Sequence, residues 1–404
     1  MRFCCAFLLA TAAVVAWAAP VQDQSGGAEA QERQTFKVAD PRHQADIDLD
    51  VSKGEEYSKL IAKEVEFSEN EEYIERVERI GRALADIANT HKVKVSWGDK
   101  RLSPFNYEFH VLKGDDVNAF SVPGGYIYIY EGLIEFAETD DELAGVIAHE
   151  IAHASFRHIA TMMDEQGKLN VFNIAAVLAA IFSRSDAAKI LIPTQLVNQA
   201  LGSGWSINAE IAADRGCVQY LMLSEYNPLG ALTFMERLAH QNRLKPRFDW
   251  GIYETHKPTE ERARDLIVEL EAYDVPFRRS EVTTSLRAIA KPGDGGIEVW
   301  FAGTKIHLFA GDDAQSRSEY AVIRLNSFFD SVPALFELEL RGDHAIYGRG
   351  RTLFSVEGPD ASAQGVTFDD SVKKAHNTMR KAVFDLAYRM WPARRFFRAR
   401  ATAS

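Results

Sequence analysis

The stretch of sequence that decides the fold is TDDELAGVIAHEIAH, residues 139–153. Thr139 is followed three residues later by Glu142, and this spacing forms a capping box, the pair of side chains that opens an α-helix. Apolar residues then recur at helical spacing. His149 and His153 stand four residues apart, so the predicted helix carries both imidazoles on one face, where they can share a metal ion.

The chemistry that these residue types favour is zinc-dependent hydrolysis. Neutral imidazole is a preferred zinc ligand, and a catalytic zinc site takes three protein ligands and keeps one position for water. Glu150 follows His149 directly and is predicted to be the general base. It would take a proton from a zinc-bound water that attacks a peptide carbonyl and then return the proton to the leaving amine. We therefore expect one Zn²⁺ per chain, with a third ligand from another part of the sequence.

Two residues are candidates for that third ligand. The helix is predicted to continue to about Ala160, and on a continuous helix His158 would point away from His149, because successive residues turn by about 100°. His158 is therefore expected to contact a carboxylate or a carbonyl and not to bind the metal. Glu210 is the preferred ligand, since Asp214 lies four residues later on the same face of a second predicted helix and could accept a ring N–H from a ligand histidine. A solvated acidic helix start is the other interpretation of this carboxylate pair.

In these motifs the chain resembles the gluzincin peptidases typified by HtpX, BepA and the CAAX prenyl proteases. The matching segments are 117–127 (VNAFSVPGGYI), 141–153 with Arg157 and His158, 210–214 and 255–262 (THKPTEER). The resemblance covers about residues 55–275. It implies that His149, His153 and Glu210 bind zinc and that Glu150 is the general base.

The resemblance also implies a way to bind substrate. An edge strand would pair with an extended peptide through backbone hydrogen bonds; its residues are Asn118, Ala119 and Phe120. His256 would approach the zinc, either to stabilise the developing oxyanion or to occupy the open position in a latent state. Two positions depart from the family pattern: Ile207 stands where an Arg is usual, and Lys257 separates His256 from Pro258.

Composition and charge restrict the classes of partner. The 404 residues are 46% hydrophobic and 26% charged, which is typical of a globular protein, and the formal net charge is −12. This acidic balance argues against nucleic acid or an anionic bilayer as the main partner. A polypeptide substrate is expected, with a peripheral contact to the envelope left open.

The first residues favour export. An apolar stretch at residues 3–16 is followed by Ala16-Trp17-Ala18, the small-x-small pattern of a signal-peptidase site. Cleavage is the preferred interpretation and retention as an anchor is the alternative; cleavage would leave Cys217 as the single cysteine. No integral membrane span is expected in the mature chain, and periplasmic localisation follows from the leader and the family resemblance.

The predicted fold class is α+β. It combines a mainly helical, zincin-like metallopeptidase domain, whose small sheet has an edge strand before the active-site helix, with a strand-rich C-terminal domain. The predicted segments are a signal peptide at 1–18, a flexible leader at 19–50, the zinc metallopeptidase domain at 51–280, the strand-rich domain at 285–392 ending in a helix, and a basic tail at 393–404. An apolar run at 171–182 is predicted to be a buried helix, with a membrane-dipping segment as the alternative.

Three functions are compared. The preferred one is a periplasmic endopeptidase that hydrolyses extended or misfolded envelope proteins, similar to the exported BepA-like branch of the family. The first alternative is a chaperone-like envelope assembly factor whose zinc site is latent. The second is a small-molecule hydrolase or aminopeptidase on the same metal site. No known family is recognised for residues 285–404.

Overall fold

A computed structural model describes residues 36–165, 204–244, 260–342 and 344–389. These residues belong to one compact unit that starts at residue 36. The fold is α+β, as predicted. The predicted signal peptide, the buried helix at 171–182, His256 and the basic tail lie outside the described residues.

Twelve α-helices are present among the described residues. They are α1 (Pro41–Glu64), α2 (Glu71–Thr90), α3 (Glu131–Phe136), α4 (Asp140–Ser155), α5 (His158–Glu165), α6 (Gly204–Met222), α7 (Leu229–Leu244), α8 (Glu260–Ala272), α9 (Arg279–Val282), α10 (Ala314–Asp330), α11 (Gly358–Ala363) and α12 (Phe368–Arg389).

Nine β-strands form three sheets of three strands each in the same part of the chain. They are β1 (Glu108–Leu112), β2 (Ala119–Val122), β3 (Tyr126–Tyr130), β4 (Ile289–Gly293), β5 (Gly296–Phe301), β6 (Thr304–Phe309), β7 (Leu338–Leu340), β8 (Ala345–Gly348) and β9 (Arg351–Ser355). In the first sheet β3 lies in the centre, parallel to β1 and antiparallel to β2. The other two sheets are antiparallel in the orders β4-β5-β6 and β7-β8-β9.

Helix α4 is the centre of the first hydrophobic core. It begins where the capping box predicts, because the Thr139 hydroxyl accepts a hydrogen bond from the Glu142 backbone N–H at 3.3 Å. Almost every residue of α4 is buried, since the helix packs against α2, α6, α7 and β2. Gly216 on α6 makes close approach to α4 feasible: a Cβ there would lie 2.5 Å from the Phe156 ring.

Two sequence-based boundaries were wrong. Helix α4 ends at Ser155 and not near Ala160, because Arg157 adopts a left-handed backbone with φ of +53° and a new helix begins at His158. The flexible leader does not extend to residue 50, because α1 already begins at Pro41, with Asp40 as its N-cap.

The C-terminal part contains the predicted strands and final helix, and it also contains two helices that the sequence analysis did not predict, the short α11 and the longer α10. Helix α10 packs against β5 and β9, while α12 packs against β6. Together with the two sheets they enclose a second hydrophobic core. Residues 335–337 form a short 3-10 turn before β7.

Within the described ranges, no helix has both the length and the apolar character needed to cross a bilayer.

Candidate active site

The predicted ligands converge. The donor atoms of His149, His153 and Glu210 all lie within 4.8 Å of one another. The two histidine Nε2 atoms are 3.1 Å apart, and the Glu210 carboxylate oxygens lie 3.4 Å from Nε2 of His149 and 3.3 Å from Nε2 of His153. Two imidazole nitrogens and one carboxylate around a common point are a donor set that suits a catalytic zinc ion.

The first ligand histidine is oriented by Asp214. Its Nδ1 lies 3.0 Å from the Asp214 carboxylate, one turn of α6 beyond Glu210. A carboxylate can only accept here, so Nδ1 of His149 carries a proton, and Nε2 is the nitrogen that faces the common point. The outer contact that the sequence analysis predicted for Asp214 is therefore present.

The second ligand histidine is oriented by His158. Nε2 of His158 lies 3.1 Å from the backbone carbonyl of Trp97, and its Nδ1 lies 2.9 Å from Nδ1 of His153. Because a carbonyl only accepts, His158 donates from Nε2 and accepts at Nδ1. Nδ1 of His153 is then the donor, and its Nε2 is the nitrogen that faces Glu210.

The contact between these two histidines was not predicted. The expected carbonyl partner of His158 is present, but the ring does not point away from the ligands, because that expectation assumed a continuous helix. The left-handed backbone of Arg157 interrupts the helix and brings the His158 ring into an edge-on contact with the His153 ring.

Arg262 is a site residue that the sequence analysis did not identify. It lies on α8, is 5% exposed, and makes two hydrogen bonds to the Asp214 carboxylate, at 2.7 and 2.8 Å. It also approaches Glu210 at 3.0 Å. Two carboxylates buried side by side would repel each other, and the guanidinium between them offsets that cost. The signal was available in the sequence, since Arg262 falls on the same helical face as Leu266 and Leu270, which are buried.

Charges around the site shift several pKa values. Burial disfavours the imidazolium of His149, but the hydrogen bonds and charges of Asp214 and Glu210 outweigh it and raise the pKa of His149 to about 10. Burial alone would raise the pKa of Asp214, but the charges and hydrogen bonds of Arg262 and His149 lower it to about 2. Burial and the adjacent His153 keep the pKa of His158 well below its usual value, which agrees with the neutral tautomer assigned above.

Glu150 lies beside the ligands on α4 and is 1% exposed. A small cavity of about 60 Å³ is lined by both His149 and Glu150, and it extends between α4, α6 and α7 to apolar residues such as Phe234 and Leu238. A carboxylate at this position is held in a largely water-excluded environment next to the ligand cluster.

The predicted substrate strand is found at the edge of its sheet. Ala119 and Phe120 belong to β2, which pairs only with β3 within its sheet and packs against α4. Asn118 extends this pairing, because its carbonyl accepts a hydrogen bond from Tyr130 N–H at 3.0 Å. Ile207, where the family usually has an Arg, is 52% exposed. The third ligand is instead supported by Arg262.

Fold and site define a class: a zincin-like metallopeptidase domain in which two helices bring together the histidines of a His-Glu-x-x-His motif and a carboxylate. Comparison with known families gives the same answer. Residues 75–269 match the family model described as Peptidase family M48, so this part of the chain is similar to that family.

Curated relatives are similar over the same region. The chain is 30% identical to the beta-barrel assembly-enhancing protease of Escherichia coli K12 over 175 residues, which is 42% of this chain and 35% of the relative. It is 27% identical to the protein of the same name from Yersinia pestis over 201 residues, 49% of this chain and 39% of the relative. It is also 29% identical to metalloprotease LoiP of Escherichia coli K12 over 199 residues, 49% of this chain and 70% of the relative. The chain thus spans well under half the length of the assembly-enhancing proteases.

Proposed function

We propose that this chain is a zinc-dependent endopeptidase that hydrolyses extended or misfolded proteins of the bacterial cell envelope. The observation that carries the proposal is the convergence of the donor atoms of His149, His153 and Glu210 within 4.8 Å. The peptidase family of residues 75–269 supports the reaction class. The names of the relatives, a beta-barrel assembly-enhancing protease among them, support the envelope as the place of action.

The metal is proposed to be zinc, one per chain. The donor set fits this ion, because the outer partners hold a proton on Nδ1 of each histidine and leave Nε2 as the nitrogen that would bind the metal on losing its own proton. When bound, zinc supplies Lewis acidity that polarises a carbonyl and makes water reactive at neutral pH. Asp214, His158 and Arg262 are proposed to hold the ligand side chains in place by hydrogen bonds and charge, without binding the metal themselves.

Proton transfer is assigned to Glu150. Its buried carboxylate is proposed to take the proton from the attacking water as the new C–O bond forms, and then to give it to the amine nitrogen as the C–N bond breaks. The low-polarity wall of the adjacent cavity keeps competing water away from this carboxylate.

The substrate is proposed to be an extended polypeptide. The edge position of β2 supports this, because an edge strand presents backbone groups that a peptide can pair with, whatever its side chains. Asn118, Ala119 and Phe120 would form this contact. His256 is retained as a proposed catalytic or latency residue on the family resemblance alone.

The localisation and the division of the chain are proposed as well. The predicted signal peptide at 1–18 supports export to the periplasm. Separate hydrophobic cores support a metallopeptidase domain that begins with α1 and not at residue 51 and that ends near residue 280, and a further domain at 285–392. The acidic net charge supports a polypeptide partner and no nucleic acid.

The test is a Glu150→Gln variant of the full chain, compared with the unaltered protein for casein cleavage and zinc content. We expect stoichiometric zinc in both proteins and a loss of cleavage of about 10²–10⁴-fold in the variant, since a general base contributes about that much. Unchanged cleavage would remove Glu150 from the mechanism.

A matched Glu210→Ala variant tests the third ligand by zinc content. We expect zinc to be lost, whereas retained stoichiometric zinc would contradict the ligand assignment. If client proteins in the envelope were rescued equally by the Glu150→Gln variant, the chaperone-like alternative would replace the peptidase. Cleavage confined to free N-termini would instead indicate an aminopeptidase.

A further inference from the structure

The helix break between α4 and α5 is surrounded by charged residues that the reaction does not use. The guanidinium of Arg157 is buried and contacts the carboxylate of Asp50 at 2.5 Å and that of Asp99 at 3.0 Å. It also donates to the backbone carbonyl of Asp46 at 3.1 Å. A left-handed backbone is unfavourable for a residue with a side chain, so it persists only where its surroundings hold it. Here the buried ion pairs hold it.

The loop at 97–99 is attached to the same break. Asp99 N–H donates to the Phe156 carbonyl at 2.8 Å, while the Trp97 carbonyl accepts from His158 at 3.1 Å. Gly98 between them has φ of +107°, and a Cβ there would lie 2.6 Å from the Phe156 carbonyl oxygen. The loop therefore fits closely over the break and fixes the ring of His158 from one side.

Helix α1 fixes the break from the other side. Asp46 and Asp50 belong to α1 and precede residue 75, where the match to the peptidase family begins. Asp50 is 5% exposed and faces inward together with Ile47 and Tyr57. A segment outside the matched domain thus contributes a buried carboxylate that is linked to a predicted ligand through two contacts. Asp50 contacts Arg157, and the next residue, His158, contacts His153.

We propose that Arg157, held between Asp50 of α1 and Asp99, is a positioning residue for the metal centre. It sets the helix break that places His158 against Nδ1 of His153, and so it fixes the tautomer and orientation of that ligand. The inference rests on the proposed metal centre and extends it: α1 becomes a functional part of the peptidase, not only a packing element.

The experiment compares Asp50→Asn with Asp48→Asn in the full chain. Both changes remove one carboxylate charge from α1, but Asp48 is exposed and accepts a hydrogen bond from Gln44. The zinc dissociation constant is measured by competition with a chelator. Loss of an outer partner of a metal ligand commonly weakens metal binding by about 10–100-fold. We expect about 10-fold weaker binding for Asp50→Asn and no change for Asp48→Asn.

A His158→Ala variant and its combination with Asp50→Asn separate positioning from general stability. If Asp50 acts through His158, the double variant binds zinc no more weakly than His158→Ala alone. If Asp50→Asn weakens zinc binding equally in the presence and in the absence of the His158 side chain, the proposal is overturned. An unchanged zinc affinity in the Asp50→Asn variant would overturn it as well. Should Asp50→Asn fail to fold, Arg157→Lys, which keeps the charge but not the two-pronged geometry, is measured in the same cycle with the same expectations. Absence of zinc binding by the unaltered protein would instead refute the proposed function itself.

Discussion

Arg262 illustrates how one residue can determine whether a site of buried charges is stable. It is the cation that faces both Glu210 and Asp214, at 3.0 and 2.7 Å. Asp214 in turn holds the proton on Nδ1 of His149. Without the guanidinium, two neighbouring carboxylates would remain buried, and one of them would tend to take up a proton. The order of the ligand set therefore depends on a residue from a third helix.

An Arg262→Met variant tests this dependence, with Arg264→Met as its control on the exposed side of the same helix. Breaking a buried ion pair by removing one partner costs about 3–5 kcal/mol. We expect the free energy of unfolding to fall by about 3 kcal/mol and zinc binding to weaken in Arg262→Met, with little change in the control. Urea denaturation in the presence of a chelator measures the first quantity and chelator competition the second. Equal stability of the two variants would show that Arg262 does not stabilise the carboxylates.

At the scale of elements, close packing of α4 and α6 sets the distance between the histidines and Glu210. Gly216 on α6 is the point of contact, since an added Cβ would lie 2.5 Å from the Phe156 ring and 3.0 Å from the Ala152 Cβ. Overpacking of this kind forces helices apart and typically costs about 1–3 kcal/mol.

A Gly216→Ala variant should therefore lose about 1–3 kcal/mol of unfolding free energy and bind zinc more weakly, because Glu210 moves with α6. Gly358→Ala is the matched control, since a Cβ at that position meets nothing within 4 Å. Thermal unfolding with and without zinc measures both effects. A Gly216→Ala protein whose zinc-dependent gain in melting temperature equals that of the control would contradict the expected displacement of α6.

The sequence predicted those elements whose local signals agree with their packing. The capping box and the apolar repeat of α4 predicted its start at Asp140. Helix α1 was missed because its inward face includes the polar or small residues His43, Asp50 and Gly54, which interrupt the apolar repeat.

Other features depend on contacts that are distant in sequence. Helix α10 was missed for a similar reason, because Ala314, Ser318 and Ala321 line its buried face. The end of α4 could not be predicted from local propensity: the left-handed Arg157 is held by Asp50 and Asp99, which are 107 and 58 residues away. The positions of His149, His153 and Glu210 were predicted from spacing and family resemblance. The role of Arg262 needed the packing of α8 against α6.

At the scale of the whole molecule, buried polar contacts join the peptidase part to the C-terminal part. Arg279 is 2% exposed and donates two hydrogen bonds to Glu236 of α7, at 2.7 and 2.8 Å. It also donates to the carbonyl of Asp330, at the end of α10, at 3.0 Å. Nearby, the Glu138 carboxylate accepts hydrogen bonds from the backbone N–H groups of Thr284 and Ser285, both at 2.8 Å.

These contacts predict that the two hydrophobic cores unfold together. An Arg279→Met variant leaves Glu236 buried without its cation, so we expect the single calorimetric transition of the unaltered protein to separate into two. Arg278→Met is the control, because that side chain is 62% exposed. Two transitions already present in the unaltered protein would show that the parts unfold independently, and one transition retained in Arg279→Met would show that other contacts couple them.

The order of the ligand residues along the chain has a consequence for the timing of activity. The centre draws on His149 and His153, on Glu210 and Asp214, and on Arg262, so it combines three helices spread over more than a hundred residues. No short segment contains it, and a partly synthesised or unfolded chain cannot assemble it. Hydrolytic competence thus requires the completed tertiary structure of these three helices.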